Sequence, residues 1–306
     1  MNKIYPTNFK SFLKWVFTNK TREKIYKDLG MPQPFDVTLR DGLQSLSKCH
    51  QKCYSLDKKK EMYNKIYSTY YPANIEIGSI VSSNVLPVFS DTIDLFNEVN
   101  DYNIKNYILI PNKKKLLEVL NIPNLINFSF ITSASNSFQL KNTKLSLNDS
   151  YKELISMIEV LENNKINTNI KLYISCINEC PIEGKLDNDI IVNEILKLNK
   201  LNINNICLSD TCGTLHVDDF EYIVDTCNYF GIPFSKFSLH LHVNPNKIDE
   251  TKYIMYRAFD RKINSFDVSL LDTGGCSVTI NKKNILPNLS YDLFYKFIVD
   301  YIELKS

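Results

Sequence analysis

Short apolar runs, each followed by a stretch with helical spacing, recur along the chain from about residue 35 onward. Runs with strand character fall at 35–39, 74–77, 107–110, 128–132, 170–175, 205–208, 238–242 and 265–269. The clearest intervening helices, by their i, i+3, i+4 apolar spacing, lie at 56–70, 149–163, 187–201, 217–230 and 247–259. Eight alternating units without a break in composition predict one α/β fold, a (β/α)8 TIM barrel, rather than two domains. An open doubly wound sheet is the alternative architecture, but no Gly-x-Gly-x-x-Gly turn supports a dinucleotide site.

Ahead of the first strand the pattern changes. The first 22 residues carry lysines and one arginine but no acid, and Phe9, Phe12, Leu13, Val16 and Phe17 fall at helical spacing. A lysine-rich rather than arginine-rich leader predicts a helix packed on the body of the fold instead of a transit peptide. The expected organisation is therefore an N-terminal helical extension over 1–33 and a barrel over 34–306. A cytoplasmic location is favoured, with a mitochondrial one left open.

Composition narrows the function classes. A formal charge of +2 over 306 residues implies no broad basic face for nucleic acid. The apolar runs are only a few residues long, so none spans a membrane as a helix. Eight cysteines at irregular spacing read as reduced thiols, seven of them as small buried apolar residues. Neither Cys49/Cys53 nor Cys176/Cys180 is followed by a second half with zinc-finger spacing. Function is thus expected in a local site, and in a barrel that site lies at the carboxyl ends of the strands.

Those ends hold a concentration of polar groups. The first strand runs into Thr38-Leu39-Arg40-Asp41-Gly42, and the second contains Glu76 between Ile75 and Ile77. Ser133, Ser135 and Asn136 follow the fourth, Ser175-Cys176 ends the fifth, and Ser209-Asp210-Thr211 ends the sixth. The seventh closes on His240-Leu241-His242, and Gly274-Gly275-Cys276 follows the eighth. Residues two apart on a strand share a face, so the two imidazoles point the same way. Taken alone, the pair fits either a chelate or one core and one surface histidine. Asp41 would complete a two-histidine, one-carboxylate set suited to Mg²⁺, Mn²⁺, Zn²⁺ or Fe²⁺. Arg40 beside it offers a permanent cation for developing negative charge on an oxygen, whereas a solvent ion pair is the alternative reading. Cys276, on a glycine loop near a metal and an arginine, is a candidate to exchange a proton with carbon. His50 and His216 have no partner in the pattern and read as surface or satisfied core residues.

The stretch Asp36-Val37-Thr38-Leu39-Arg40-Asp41-Gly42-Leu43-Gln44, with the His-x-His strand, resembles the metal-dependent barrel lyases and Claisen-type synthases. Further stretches resemble the hydroxymethylglutaryl-CoA lyases specifically. These are Ile75-Glu76 with Ile80-Val81-Ser82, Tyr173-Ile174-Ser175-Cys176 with Cys180-Pro181-Ile182-Glu183-Gly184-Lys185, Ser209-Asp210-Thr211-Cys212-Gly213, Gly274-Gly275-Cys276, and Asn288-Leu289-Ser290. The resemblance is collinear from about residue 35 onward. It implies retro-Claisen cleavage of 3-hydroxy-3-methylglutaryl-CoA to acetyl-CoA and acetoacetate, with an acyl-CoA thioester as substrate and a homodimer as the expected assembly. It implies that Asp41, His240, His242 and Asn288 ligate Mg²⁺ or Mn²⁺. By the same resemblance Arg40, Cys276, Glu76, Asp210 and His240 are catalytic: Arg40 stabilises the enolate, Cys276 protonates it, and Glu76 and Asp210 orient the metal shell or move the hydroxyl proton.

The chain departs from the family pattern near the substrate. Asp272 stands where a glycine is expected, Ser277 follows the cysteine where proline is usual, and Asn281-Lys282-Lys283-Asn284 lengthens the path to Asn288. Val243-Asn244-Pro245-Asn246 follows the histidines, and Asn136 replaces a usual glutamate. Two other functions compete with the lyase. One is a synthase condensing acetyl-CoA with a 2-oxo acid, which usually lacks the Gly-Gly-Cys loop; the other is a degraded barrel kept as a binding protein.

Overall fold

The computed structural model describes residues 22–99, 103–164, 166–275 and 285–306. Eight parallel strands close into a barrel: β1 (Gln33–Asp36), β2 (Asn74–Ser79), β3 (Lys105–Leu109), β4 (Asn127–Ser133), β5 (Asn169–Ser175), β6 (Asn205–Asp210), β7 (Phe237–Leu241) and β8 (Ser265–Val268). The last strand pairs with the first, Gln33 opposite Ser265 through Asp36 opposite Val268. Closure confirms the expected barrel and rules out the open sheet.

The alternation along each strand divides the interior into two regions. Outward residues such as Ile75, Phe128, Leu172, Leu208 and Leu239 are buried in one continuous core with Leu154 and Met157 of the helix Leu147–Asn163 and Phe294 and Phe297 of the helix Tyr291–Lys305. Each such side chain contributes about 1.5–3 kcal/mol by leaving water. Serine hydroxyls start several of these helices, Ser146 accepting from Asp149 N at 3.1 Å and Ser135 from Phe138 N at 3.1 Å. The lumen is different. Tyr173 bonds Glu76 and Lys171 bonds Asp267, and since neither pair lies on neighbouring strands, these side chains cross the barrel axis.

Most strand ends differ from the sequence expectation by one to three residues, and two of the differences shape the site. The ladder of β1 stops at Asp36 because its carboxylate accepts from Thr38 N and Thr38 Oγ1, both at 2.9 Å. The chain then turns through one π-helical turn, Thr38–Gly42, which carries Arg40 and Asp41. Likewise β7 ends at Leu241, and His242 forms an isolated bridge with Asn288. Segment 285–290 caps this end, Leu289 N donating to Leu241 O at 3.1 Å and Val243 N to Pro287 O at 2.8 Å.

A two-stranded ribbon, Glu179–Cys180 with Gly184–Lys185, was not foreseen; strands of two residues carry no periodicity. Of the leader, the helix Arg22–Asp28 is described, with the Arg22 guanidinium 3.7 Å from the Tyr67 ring centroid. The apolar positions Phe9 to Phe17 lie outside the described residues. No described helix is long and apolar enough to cross a membrane. All described cysteines are free thiols, but Cys49 and Cys53 are exposed and Cys212 is half-buried, correcting the expectation that these three are buried.

Candidate metal centre

The carboxyl ends of β1 and β7 bring together the groups singled out from sequence. Asp41, His240 and His242 each offer one ligand atom, all within 4.8 Å of one another, and all three residues are buried. His240 Nε2 stands 3.2 Å from His242 Nε2 and 3.9 Å from Asp41 Oδ2.

The hydrogen-bond network assigns the tautomers. His240 Nδ1 donates to Asp267 Oδ2 at 3.0 Å, and His242 Nδ1 donates to the Leu286 carbonyl at 3.1 Å. Each imidazole therefore turns its Nε2 lone pair inward, toward the other and toward a carboxylate. Three such acceptors facing one point need a proton or a metal ion between them, and the Nδ1 partners are the orienting contacts that metal-binding histidines use. Burial, reinforced by His240, pushes His242 down to about 4, so its imidazole is neutral at physiological pH. Burial alone would raise Asp41, but Arg40 and the two histidines outweigh it and hold its carboxyl well below the usual range.

Asn288 supplies a further test of fit. Its Nδ2 donates to Asp41 Oδ2 at 3.0 Å and to Thr273 O at 3.1 Å, while its Oδ1 is buried without a hydrogen-bond partner. An orphaned amide oxygen is costly in a dry site, and a divalent cation would satisfy it. Carboxylate, amide and imidazole donors as a set suit a divalent cation, and the donor types do not single out one metal. Glycine is required alongside: a Cβ at Gly274 would lie 2.6 Å from Asn288 Cγ and Nδ2. Gly274→Ala is expected to displace that amide and weaken Mn²⁺ binding by about 10-fold or more, read by titration of the apoprotein.

Beside the ligands, Arg40 is clamped. Its Nε donates to Glu76 Oε2 at 2.5 Å and its Nη1 to Asp41 Oδ1 at 2.6 Å. Tyr173 OH also donates to Glu76 Oε2, at 3.1 Å, and its ring centroid lies 5.0 Å from the guanidinium. Burial opposes the charge on Arg40, but Glu76 and Asp41 overcome it and keep the guanidinium fully protonated. A cavity opens above this group, lined on its polar side by Arg40, Asp41, Ser209, His240, His242 and Gly275 and on its apolar side by Leu86, Leu109, Ile131 and Phe138.

Comparison with known proteins places the chain among homologues and establishes its fold. No family model matches the chain. It is 21% identical over 243 residues to a hydroxymethylglutaryl-CoA lyase of Pseudomonas mevalonii, covering 79% of this chain and 77% of that protein. It is 24% identical over 242 residues to the cytoplasmic 3-hydroxy-3-methylglutaryl-CoA lyase of Rattus norvegicus, covering 79% and 67%. The chain is a homologue of the hydroxymethylglutaryl-CoA lyases. Among solved structures, a lyase of this name from Acinetobacter baumannii, in complex with coenzyme A and 3-methylmalate, superposes with a TM-score of 0.73 at 24% identity. That match covers 87% of this chain and 83% of the other, and establishes the common barrel fold.

Within this lyase homologue not every expected residue meets at the cluster. Arg40, Asp41, Glu76, His240, His242 and Asn288 do. Asp210 does not: Ser209 is in register with His240, so the next residue faces the helices, and its oxygens accept from Thr214 N and Leu215 N at 3.0 and 3.1 Å. Burial raises its carboxyl to about 6 against those bonds. Cys276 lies outside the described residues. Its neighbour Gly275 donates its N–H to Asp41 Oδ2 at 2.8 Å. The sequence reading missed Asp267 and the Leu286 carbonyl, which orient the two imidazoles. An acid between Phe266 and Val268 was the one available signal for Asp267. His50 and His216 are both exposed, as expected.

Proposed function

We propose that this chain is a divalent-metal-dependent carbon–carbon lyase that cleaves 3-hydroxy-3-methylglutaryl-CoA to acetyl-CoA and acetoacetate. The observation that carries the reading is the convergence of two oriented Nε2 lone pairs, the Asp41 carboxylate and the unpartnered Asn288 Oδ1 beside a clamped guanidinium. Homologues named for this cleavage support the substrate, and the intact ligand set counts against a degraded barrel. Residues 34–306 form the lyase domain in this reading, Mg²⁺ or Mn²⁺ is the metal, and the working assembly is a homodimer. The cytoplasm is the proposed location, although relatives carry both cytoplasmic and mitochondrial names.

Asp41, His240, His242 and Asn288 would hold the metal, which when bound supplies Lewis acidity to the substrate's hydroxyl and carboxylate oxygens. The remaining work falls to the chain. The hydroxyl proton passes to water in the open cavity, and the carbon–oxygen bond becomes the ketone of acetoacetate. The bond between C2 and C3 breaks, and its electron pair passes into the thioester as an enolate. Arg40 faces the cavity as a preorganised cation for that enolate oxygen, and it needs no reorientation because Glu76 and Asp41 fix it. Glu76 acts through Arg40 as a positioning residue. Cys276 gives the proton that completes acetyl-CoA at C2. Asp210 braces the loop after β6.

Purified protein with Mg²⁺ or Mn²⁺ and 3-hydroxy-3-methylglutaryl-CoA should release acetoacetate. Turnover of another 3-hydroxyacyl-CoA with no acetoacetate would move the substrate and keep the chemistry. Cys276→Ala is expected to slow cleavage by about 10²–10⁴-fold, and an unchanged rate would remove the cysteine from the mechanism.

A further inference from the structure

The lumen beneath the site holds two charged groups that the cleavage chemistry does not use. Lys171 on β5 is 2% exposed and Asp267 on β8 is 1% exposed. Lys171 Nζ donates to Asp267 Oδ1 across the barrel, and the other oxygen, Asp267 Oδ2, accepts from His240 Nδ1 at 3.0 Å. The ammonium also lies 3.4 Å from the Phe35 ring centroid and 4.7 Å from that of Tyr173, so aromatic faces hold it on two sides. A line of polar contacts thus runs from the lower lumen to the candidate metal site.

Burying a lysine and an aspartate together gives little net stability, because their desolvation offsets the attraction. An apolar pair of similar volume would serve a barrel core as well. What the apolar pair could not do is present a carboxylate oxygen to His240. The second oxygen of that carboxylate is engaged by Lys171, which prevents the group from rotating away, and the ammonium supplies the counter-charge that a buried anion needs.

We propose that Lys171 and Asp267 are positioning residues that set the metal affinity of the site, Asp267 by fixing the tautomer and ring angle of His240, and Lys171 by holding Asp267. This rests on the metal-site reading above. Asp267 makes His240 the better donor because an Nδ1–H bonded to a carboxylate leaves Nε2 richer in electron density. Lys171 has no reach to the ligands of its own and works only through Asp267.

The test is Mn²⁺ affinity of the metal-stripped protein, followed by the loss of the free-ion electron paramagnetic resonance signal. Asp267→Asn and Lys171→Met are each expected to weaken binding by about 10–100-fold. Lys171→Arg should restore most of it. In the Asp267→Asn background, Lys171→Met should add nothing further. A melting temperature measured without metal separates this from general damage: a variant that melts early but binds Mn²⁺ like wild type overturns the proposal. So does an additive double variant. Wild type that takes up no more Mn²⁺ than His242→Ala would instead overturn the metal site itself, and the relay with it.

Discussion

Replacing Arg40 with glutamine is expected to reduce kcat for 3-hydroxy-3-methylglutaryl-CoA cleavage by at least about 10²–10³-fold, the usual effect of removing a preorganised donor from a developing oxyanion. The loss should exceed that range, because the guanidinium also neutralises two buried carboxylates. Glu76 is fully buried and Asp41 is 3% exposed. Leaving a buried charge without its partner costs about 3–5 kcal/mol, so Arg40→Gln should also melt at a lower temperature. Arg40→Lys separates the two effects. An ammonium keeps the charge and much of the stability, but one point donor cannot serve Glu76 through Nε and Asp41 through Nη1 together. The expected result is near-native melting with kcat still depressed at least about 10-fold. A lysine variant with wild-type kcat would show that fixed orientation at this position is irrelevant to the rate.

His240→Ala and His242→Ala form the second case, and both should abolish metal retention. Changing a group behind a ligand typically weakens metal binding about 10–100-fold; removing the ligand itself should exceed this. Metal analysis after gel filtration is the direct measure. A second readout is the thermal shift: wild type with Mn²⁺ at about 100 times its Kd gains roughly 2.7 kcal/mol of stability, and the alanine variants should gain almost none. In the metal-free protein the two Nε2 atoms stand 3.2 Å apart, a contact that either alanine variant removes. Metal content equal to wild type in both variants would refute the ligand set.

The sequence made the barrel legible because its outward-facing strand residues are apolar enough to read as runs. Helices with several turns, such as Leu147–Asn163, showed their spacing, whereas short ones such as Lys113–Val119 had too few turns to do so. At the site, His240 and His242 were readable from alternation alone. Asp41 joined them only once the barrel brought the ends of the strands together, and Asn288 only through the family resemblance, because nothing local to it reveals a partner 247 positions away. Asp210 shows the opposite failure: a polar residue at a strand end looked functional, but the one-residue offset from Ser209 turned it to the helix side. Lys171 gave no warning and Asp267 only that of an acid between Phe266 and Val268, since a charged residue in a strand reads as solvent-facing until closure puts it in the lumen.

The loop after β8 is stitched to the turn after β1, through Gly275 N to Asp41 and Thr273 Oγ1 to the Gly42 carbonyl at 2.8 and 2.9 Å. Asn288 joins the same knot from 247 positions beyond Asp41. During synthesis the first ligand therefore leaves the ribosome long before the last. The histidines alone offer the ion only a partial grip until the final strand docks against the first. Non-local closure of this kind is the slow part of folding, so in the proposed metal site the full ligand set would assemble only with that closure. Tight uptake of an ion at that site would then report a finished barrel, and a partly unfolded chain would bind it less tightly.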